Sequence, residues 1–326
     1  MRIIRRSAGA IVALAAFAAP AAAQNTECAG YGTSNARNVC NAAIDGTRYF
    51  HPVAGILISG GNPVIGSAAA LGGLGHFSLS LRANAVSVVL PDLDYDGSSG
   101  TVQSGDTIFA PAPQIEGAIG LWGGLPGGLL AVDLLGAAQL LPTDQIDNFR
   151  LDQDATTVGG LGLGVGFGAR IGILSGAGPL PGVSLSIMRR NIPTIQYGTV
   201  SAIDPTGDDY AYAVDLHATN LRLTAGKKIA AFAVAAGLGW DRYTGDARVD
   251  FRDPSGVVPS VETIDFGLKQ SRGIGFLNAG FDLPIVKIMG ELGYQTGKDQ
   301  NLTTNFEDVD TSGGKVFGGV GLRFAF

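Results

Sequence analysis

The chain has 326 residues, 46% of them hydrophobic and 15% charged, with 50 Gly where an average composition would give about 23. This excludes a charged, disordered polymer and is too rich in Gly for an ordinary helical enzyme, while the length suffices to bury a large core or to close a barrel. The formal net charge of −6 argues against a nucleic-acid partner, whose phosphates call for dense Lys and Arg.

Residues 1–23 read as a secretory leader. Arg2, Arg5 and Arg6 precede an apolar run over 8–19, and Ala21, Ala22 and Ala23 form an A-x-A cleavage site before Gln24. The apolar run is too short for a membrane anchor, which needs about 20 residues. Without the leader, 19 basic residues face 28 acidic ones, a charge near −9. The two cysteines, Cys28 and Cys40, lie close together in an exported chain, and a disulfide between them is expected. Closing so small a loop stabilises by about 3 kcal/mol on the chain-entropy estimate. Lipidation is the alternative, but Cys28 follows Asn25, Thr26 and Glu27 in place of small apolar residues. With no paired His nearby, the cysteines do not make a zinc site.

Residues 24–75 form a separate segment. From Tyr49 to Gly75 it is apolar and small, broken by Pro52, Gly60, Gly61 and Pro63. It reads either as a plug inside a lumen or as a periplasmic segment with one or two further strands.

From about residue 76 the apolar residues recur with period two, the mark of strands. Phe77, Leu79 and Leu81 alternate with Ser78, Ser80 and Arg82. Leu161 to Ile173 alternates with a file of Gly162, Gly164, Gly166, Gly168 and Gly172. The even series Tyr210, Tyr212, Val214, Leu216 alternates with Asp215 and His217. Phe232 to Trp240, Val286 to Tyr294 and Val316 to Phe326 follow the same pattern. Ten strands are expected, near 76–90, 114–124, 129–141, 157–174, 183–199, 209–226, 229–252, 263–283, 285–297 and 315–326, with phase slips near Arg189 and Asn220. Tight turns alternate with long acidic loops, as in a transmembrane barrel. A soluble sandwich would also alternate, but its outer face would be polar; here the second face is largely Gly, Ala and scattered polar groups. The uncharged stretch 171–188 is broken as a helix by Gly176, Gly178, Pro179, Pro181 and Gly182. The expected fold is therefore all-β, an antiparallel transmembrane β-barrel of about 10–12 strands over 76–326, after the segment 24–75.

The final run from Gly318 to Phe324 and Phe326, ending on an aromatic carboxyl-terminal residue, resembles the assembly signal of bacterial outer-membrane β-barrel proteins. The resemblance implies an outer-membrane location, lipid as a neighbour, and reading of Phe324 and Phe326 by the barrel-insertion machinery. The N-terminal segment, with its Asn62-Pro63 turn, is similar in placement to the hatch of outer-membrane long-chain fatty acid transporters. That likeness implies a small hydrophobic ligand. If 24–75 is a plug, the Gly file would let it pack closely against the inner wall.

On the inferred inner face lie Glu116, Asp133, Arg170, Asp215, His217, Lys287, Glu291, Lys315 and Arg323, with Arg189 and Arg190 of open facing. Both signs occur, which does not indicate a simple ion-selectivity ring; paired charges that stabilise the wall are the plainer reading. His76 and Ser78 resemble the His-x-Ser of outer-membrane lipid A deacylases, but they face the lumen in this reading and have no acid partner by spacing. The expectation is passive transport of a small hydrophobic molecule, without catalysis, metal or cofactor. A structural or surface-interaction barrel is the alternative, and a lipid-acting hydrolase the third reading.

Overall fold

The computed structural model describes residues 25–141, 149–151, 155–158, 161–202, 207–253 and 259–326. The expected leader at 1–23 and parts of the loops expected at 142–154, 201–209 and 253–260 lie outside the described residues. Ten long strands follow one another: β1 (Phe77–Pro91), β2 (Ser104–Trp122), β3 (Val132–Leu141), β4 (Leu161–Ser175), β5 (Gly182–Tyr197), β6 (Tyr210–Ile229), β7 (Phe232–Asp253), β8 (Ser260–Asp282), β9 (Lys287–Gln295) and β10 (Lys315–Ala325). Each pairs antiparallel with its chain neighbours, and β10 returns to β1 with Leu81 opposite Leu322. The sheet thus closes on itself, which removes the aggregation-prone edges an open sheet would leave. Backbone bonds between Phe77 and Phe326, at 2.9 and 3.0 Å, finish the seam.

The strand boundaries match the periodicity closely except at β2, which begins at Ser104 and not near 114. Pro111 and Pro113 hide the strand, because proline cannot donate to a ladder. Both sit opposite β1, at Ala85 and Ala83. Pairing between β2 and β3 extends upward only to Gln114–Gln139. The prolines therefore occupy a strand edge, where a sheet tolerates them.

Short turns cluster at one end of the barrel and long loops at the other, and the chemistry of the wall inverts between them. Nearer the short turns, β7 turns Phe232, Val234, Leu238 and Trp240 outward. Nearer the long loops the outward residues are Arg242, Asp246 and Arg248, while Tyr243, Val249 and Phe251 are buried inside. β6 behaves alike: Leu221 and Leu223 face out, and Val214, Leu216, Asn220 and Arg222 are buried inside. Asp215 and His217, expected in the lumen, are corrected to the outer face. Their strand keeps one parity throughout, but above Leu221 the apolar face turns inward to meet a filled lumen and the polar face meets water. No slip occurs at Asn220; the irregularity expected near Arg189 lies between Ile192 and Ile195.

Inside the barrel runs one helix, α1 (Ser34–Ser59), capped at its start by the Thr33 side chain, which accepts from Ala36 N at 3.2 Å. It is buried on nearly all sides over its second half, so that half carries no polar stripe to announce it. Pro52 lies within it and cannot donate to the Arg48 carbonyl one turn back. Gln270 of β8 supplies that bond, with Nε2 donating to Arg48 O at 2.9 Å. At the long-loop end Tyr31 packs edge-on against Phe251 at 4.9 Å, and the segment passes from there into α1. It then descends through the lumen until the Leu71 amide meets Asp133, at 3.1 Å, near the short turns. The segment 34–59 is thus helix and contributes no strand.

The Gly file of β4 faces the lumen side, but most of it serves the wall. A side chain at Gly164 or Gly168 would strike Ile192 or Met188 of β5; of these glycines, Gly172 is the one that approaches the N-terminal segment, at Ala70.

The inverted facing of β6 is directly testable by cysteine substitution. Leu216→Cys should resist a bulky water-soluble maleimide in the folded protein, whereas His217→Cys, one residue on, should react readily; the opposite pattern would restore the simple alternation.

Candidate functional site

Where α1 ends, the lumen changes from apolar to charged, and the wall grips the chain by its backbone. Gly60 terminates the helix in the left-handed region, φ 57°, which glycine adopts without a Cβ penalty. Arg222 of β6 donates to the Gly61 and Gly60 carbonyls at 2.8 and 3.0 Å. Glu291 of β9 accepts from the Gly61 and Asn62 amides, both at 2.8 Å. A cation thus meets carbonyls at the helix C-terminal end, as the helix dipole favours, while the carboxylate beside it is held by the backbone N–H groups beyond the helix and by Arg82. Added atoms at Gly61 would strike Phe276 at 2.6 Å and Glu291 at 2.8 Å, so the turn fits its seat only as glycine.

The gripping groups belong to one buried network. Arg82 bridges Glu291 at 2.7 Å and Glu116 at 3.3 Å, and Arg190 meets Glu116 at 2.9 Å. Arg190 also donates to Asn220 at 2.6 Å, and Asn220 donates onward to Asp241 at 2.7 Å and to Ser59 of α1 at 3.0 Å. Asp241 pairs with Arg222 at 2.5 Å. Nearer the short turns, Arg170 pairs with Asp133 at 2.7 Å, and Asp133 also accepts from Leu71 N. Desolvated charges are tolerated only when paired and hydrogen-bonded, and here part of the satisfaction comes from the N-terminal segment.

Of the expected inner residues, Glu116, Asp133, Arg170, Glu291 and Arg323 are buried in the lumen. Lys287 lies at the short-turn rim on Asp282, at 3.0 Å, and Lys315 donates to Tyr49 of α1 at 3.2 Å. Arg190 points in and Arg189 out. Arg82, Arg222 and Asp241 complete the network; their signal was parity, since Leu81, Leu221 and Trp240 beside them face outward. The His76–Ser78 pair does not assemble: His76 is exposed ahead of β1, against Gly73 O at 3.3 Å, and Ser78 accepts from Arg323 at 2.8 Å. Cys28 and Cys40 are joined, with Cα atoms 5.7 Å apart, tying the first turn to α1. The Asp45 carboxylate pins α1 to the last long loop by accepting from the Thr303 and Thr304 amides, both at 2.8 Å. Phe326 stacks on Phe77 at 5.0 Å across the seam.

Above the network, α1 leaves space against the wall. A cavity of about 60 Å³ lies between Phe50, Val53 and Leu57 of the helix and Val86, Pro111 and Leu141 of the wall. It is apolar and sits beside the seam where β2 and β3 part.

The outer surface decides the setting. An apolar band runs around a closed sheet, with Trp240 and Tyr294 exposed on the side nearer the long loops. On β7 the band spans nine residues, 232–240, the length of a tilted membrane-crossing strand. This is an outer-membrane β-barrel. Among the described residues no helix is long and apolar enough to cross a membrane, and the strands do the crossing. No family model matches the chain, and no curated protein is similar to it in sequence. Solved barrels similar to it include the outer membrane protease OmpT from Escherichia coli, at 15% identity over 77% of this chain and 96% of that one, TM-score 0.39. The Pseudomonas putida toluene transporter TodX is 10% identical over 81% and 96%, TM-score 0.30. Ail, the attachment invasion locus protein of Yersinia pestis, is 9% identical over 78% and 99%, TM-score 0.29.

Two outcomes check the seat. Glu291→Gln should destabilise the folded barrel by about 3 kcal/mol, because it removes the nearer carboxylate of Arg82 and leaves one of the two amides without an acceptor. Asp265→Asn, which breaks an exposed rim pair with Arg248, should change it by less than about 1 kcal/mol; urea unfolding in lipid vesicles measures both. His51 of α1 lies level with Tyr243, above the lipid-facing band, and burial lowers its pKa to about 4, with Arg272 and His217 adding to the fall. Its folded value lies below the unfolded one, so the stability it contributes is whole above about pH 6.5 and is lost as pH falls toward about 4. Unfolding midpoints across that range should fall more steeply for the native chain than for His51→Leu.

Proposed function

We propose that this outer-membrane barrel admits a small apolar molecule, with α1 and the turn after it acting as a retained plug. The apolar cavity between α1 and the wall carries the reading, because it lies beside the seam at which β2 and β3 stop pairing. A lumen crossed by Arg82, Arg222, Glu116 and Glu291 offers an apolar solute no route along its axis, since displacing these groups would leave buried charges unpaired. The seam offers a route through apolar surface: Pro111 and Leu141 line the cavity from either side of it. A cavity that small holds about two waters, so passage of anything larger requires α1 to shift on its charged seat. The aqueous lumen then stays closed while the apolar compartment opens.

A barrel that only presents its loops to partners is the second reading, favoured by the completeness of the buried network.

Bilayer conductance and uptake separate the two. The full mature chain should be electrically silent, and a chain lacking 25–75 should conduct if it folds. Liposomes carrying the full chain should take up a small aromatic hydrocarbon faster than liposomes carrying Val53→Trp, which fills the cavity from the helix side. Equal uptake by both would remove the transport reading and leave the presenting barrel.

A further inference from the structure

On the outer face of the wall the apolar band ends against a rung of cations. Ile187 of β5, Leu221 of β6 and Trp240 of β7 lie side by side across the ladder, and all three face outward, 51%, 39% and 43% exposed. The next outward rung, two residues nearer the long loops, is Arg189, Thr219 and Arg242. Above it come Asn191, His217 and Thr244. Parity fixes this facing, since Met188, Arg190, Ala218, Asn220, Asp241 and Tyr243 beside them are buried on the lumen side. The outer wall therefore passes from aliphatic and aromatic side chains to guanidinium groups in one step of about 7 Å along the strands.

Other cations of the outer face are met by acids of the wall. His217 lies 3.6 Å from Asp215 and Arg248 2.9 Å from Asp265, and at the short-turn rim Lys228 and Lys287 share Asp282. Arg189 and Arg242 are exposed and make no ion pair among the described residues. The nearest outward carboxylates on β5, β6 and β7, Asp215 and Asp246, stand four residues above Thr219 and Arg242. Asp215 is moreover taken up by the Asp246 amide and by His217.

Height and spacing together select the partner of the two arginines. An aromatic ring at the margin of an apolar band marks the level at which hydrocarbon gives way to headgroups, and Trp240 stands directly below Arg242 on the same face. The headgroup layer adds about 5–7 Å beyond the hydrocarbon on each side, so one step up a tilted strand puts both guanidinium groups inside it. Their Cα atoms are two strand spacings apart, about 10 Å, with only the small Thr219 between them, and two long side chains can close over the threonine on one anion. A guanidinium fork matches phosphate oxygens, and the pairing is stronger in the poorly solvated layer against hydrocarbon than in bulk water.

We propose that Arg189 and Arg242 clamp a phosphate of an outer-leaflet lipid over Thr219, with the acyl chains of that lipid lying along Ile187, Leu221 and Leu223. The site is outside the lumen and owes nothing to the plug or to the transport reading. The group recognised is a phosphate monoester; free phosphate in the medium presents the same chemistry, and the two sources are separated by the acyl chains.

The folded full chain in detergent is titrated with lipid A bisphosphate and with the same lipid after enzymatic removal of both phosphates, and bound lipid is counted by native mass spectrometry. The bisphosphate should bind about tenfold more tightly than the dephosphorylated lipid, and Arg189→Gln and Arg242→Gln should each weaken it by about tenfold. Both side chains are exposed on the wall, so both variants should fold, as heat-modified mobility on a gel reveals. Arg248→Gln removes the same charge from a position six residues above Arg242, already paired with Asp265, and should leave binding unchanged. Millimolar inorganic phosphate should leave the lipid in place. Equal binding of the two lipids, or unchanged binding by both Arg189→Gln and Arg242→Gln, overturns the site. An equal loss in Arg248→Gln overturns it in favour of net charge alone, and displacement by inorganic phosphate overturns the lipid assignment in favour of a soluble phosphate.

Discussion

The lumen of this barrel is too dry to leave charge unattended, and the rest of the architecture follows from that. Arg82, Arg190 and Arg222 with Glu116, Asp241 and Glu291 form a network that closes only because α1 ends among them. The Gly60 and Gly61 carbonyls and the Gly61 and Asn62 amides complete it. Wall and plug are therefore mutually dependent: without the segment, Arg222 and Glu291 would lose backbone partners in a low-dielectric space, and without the wall, the helix end would be uncapped. The same reasoning explains the Pro52 irregularity, where a wall glutamine takes over a bond that the helix cannot make.

A second consequence concerns the direction in which apolar surface points. A transmembrane barrel ordinarily has one apolar face, toward lipid, and one polar face, toward water. Here the strands run well beyond the membrane band, and the upper lumen is filled by α1. Apolar residues are thus required outside at one height and inside at another. Tyr212, Val214 and Leu216 serve the helix, Leu221 and Leu223 serve the lipid, and between them β6 keeps one parity and one register against β7, the irregularity opposite Leu216 lying in β5.

Two of the places where strand pairing stops short leave pockets. At the β2–β3 seam the prolines of β2 leave an apolar opening beside a cavity. At the end of β9 a loop replaces a strand and leaves a basic pocket. The first is apolar and lies against the apolar half of the helix, whereas the second is lined by Arg48, Lys269, Arg272 and Lys298.

The barrel itself was legible in the sequence because period two survives any tertiary context: side chains of a strand must alternate, and a long alternating run needs a closed sheet to satisfy its backbone in lipid. The strand count, the closing seam at Phe326 and the inner positions of Glu116, Asp133, Arg170 and Glu291 all come from that rule. Alternation says which residues share a face, however, and not what that face meets. For Asp215 and His217 the shared face was right and its environment wrong, since only the folded chain shows that a helix occupies the lumen beside Leu216. α1 was hidden for a related reason: its second half is buried on nearly all sides and leaves no polar stripe there to mark a period, and Pro52 read as a breaker. β2 was shortened by prolines whose harmlessness depends on a missing neighbour strand. The sequence by itself determined the alternation, and with it the wall; the tertiary structure decided what fills the wall, because burial and charge pairing are properties of residues far apart in the chain.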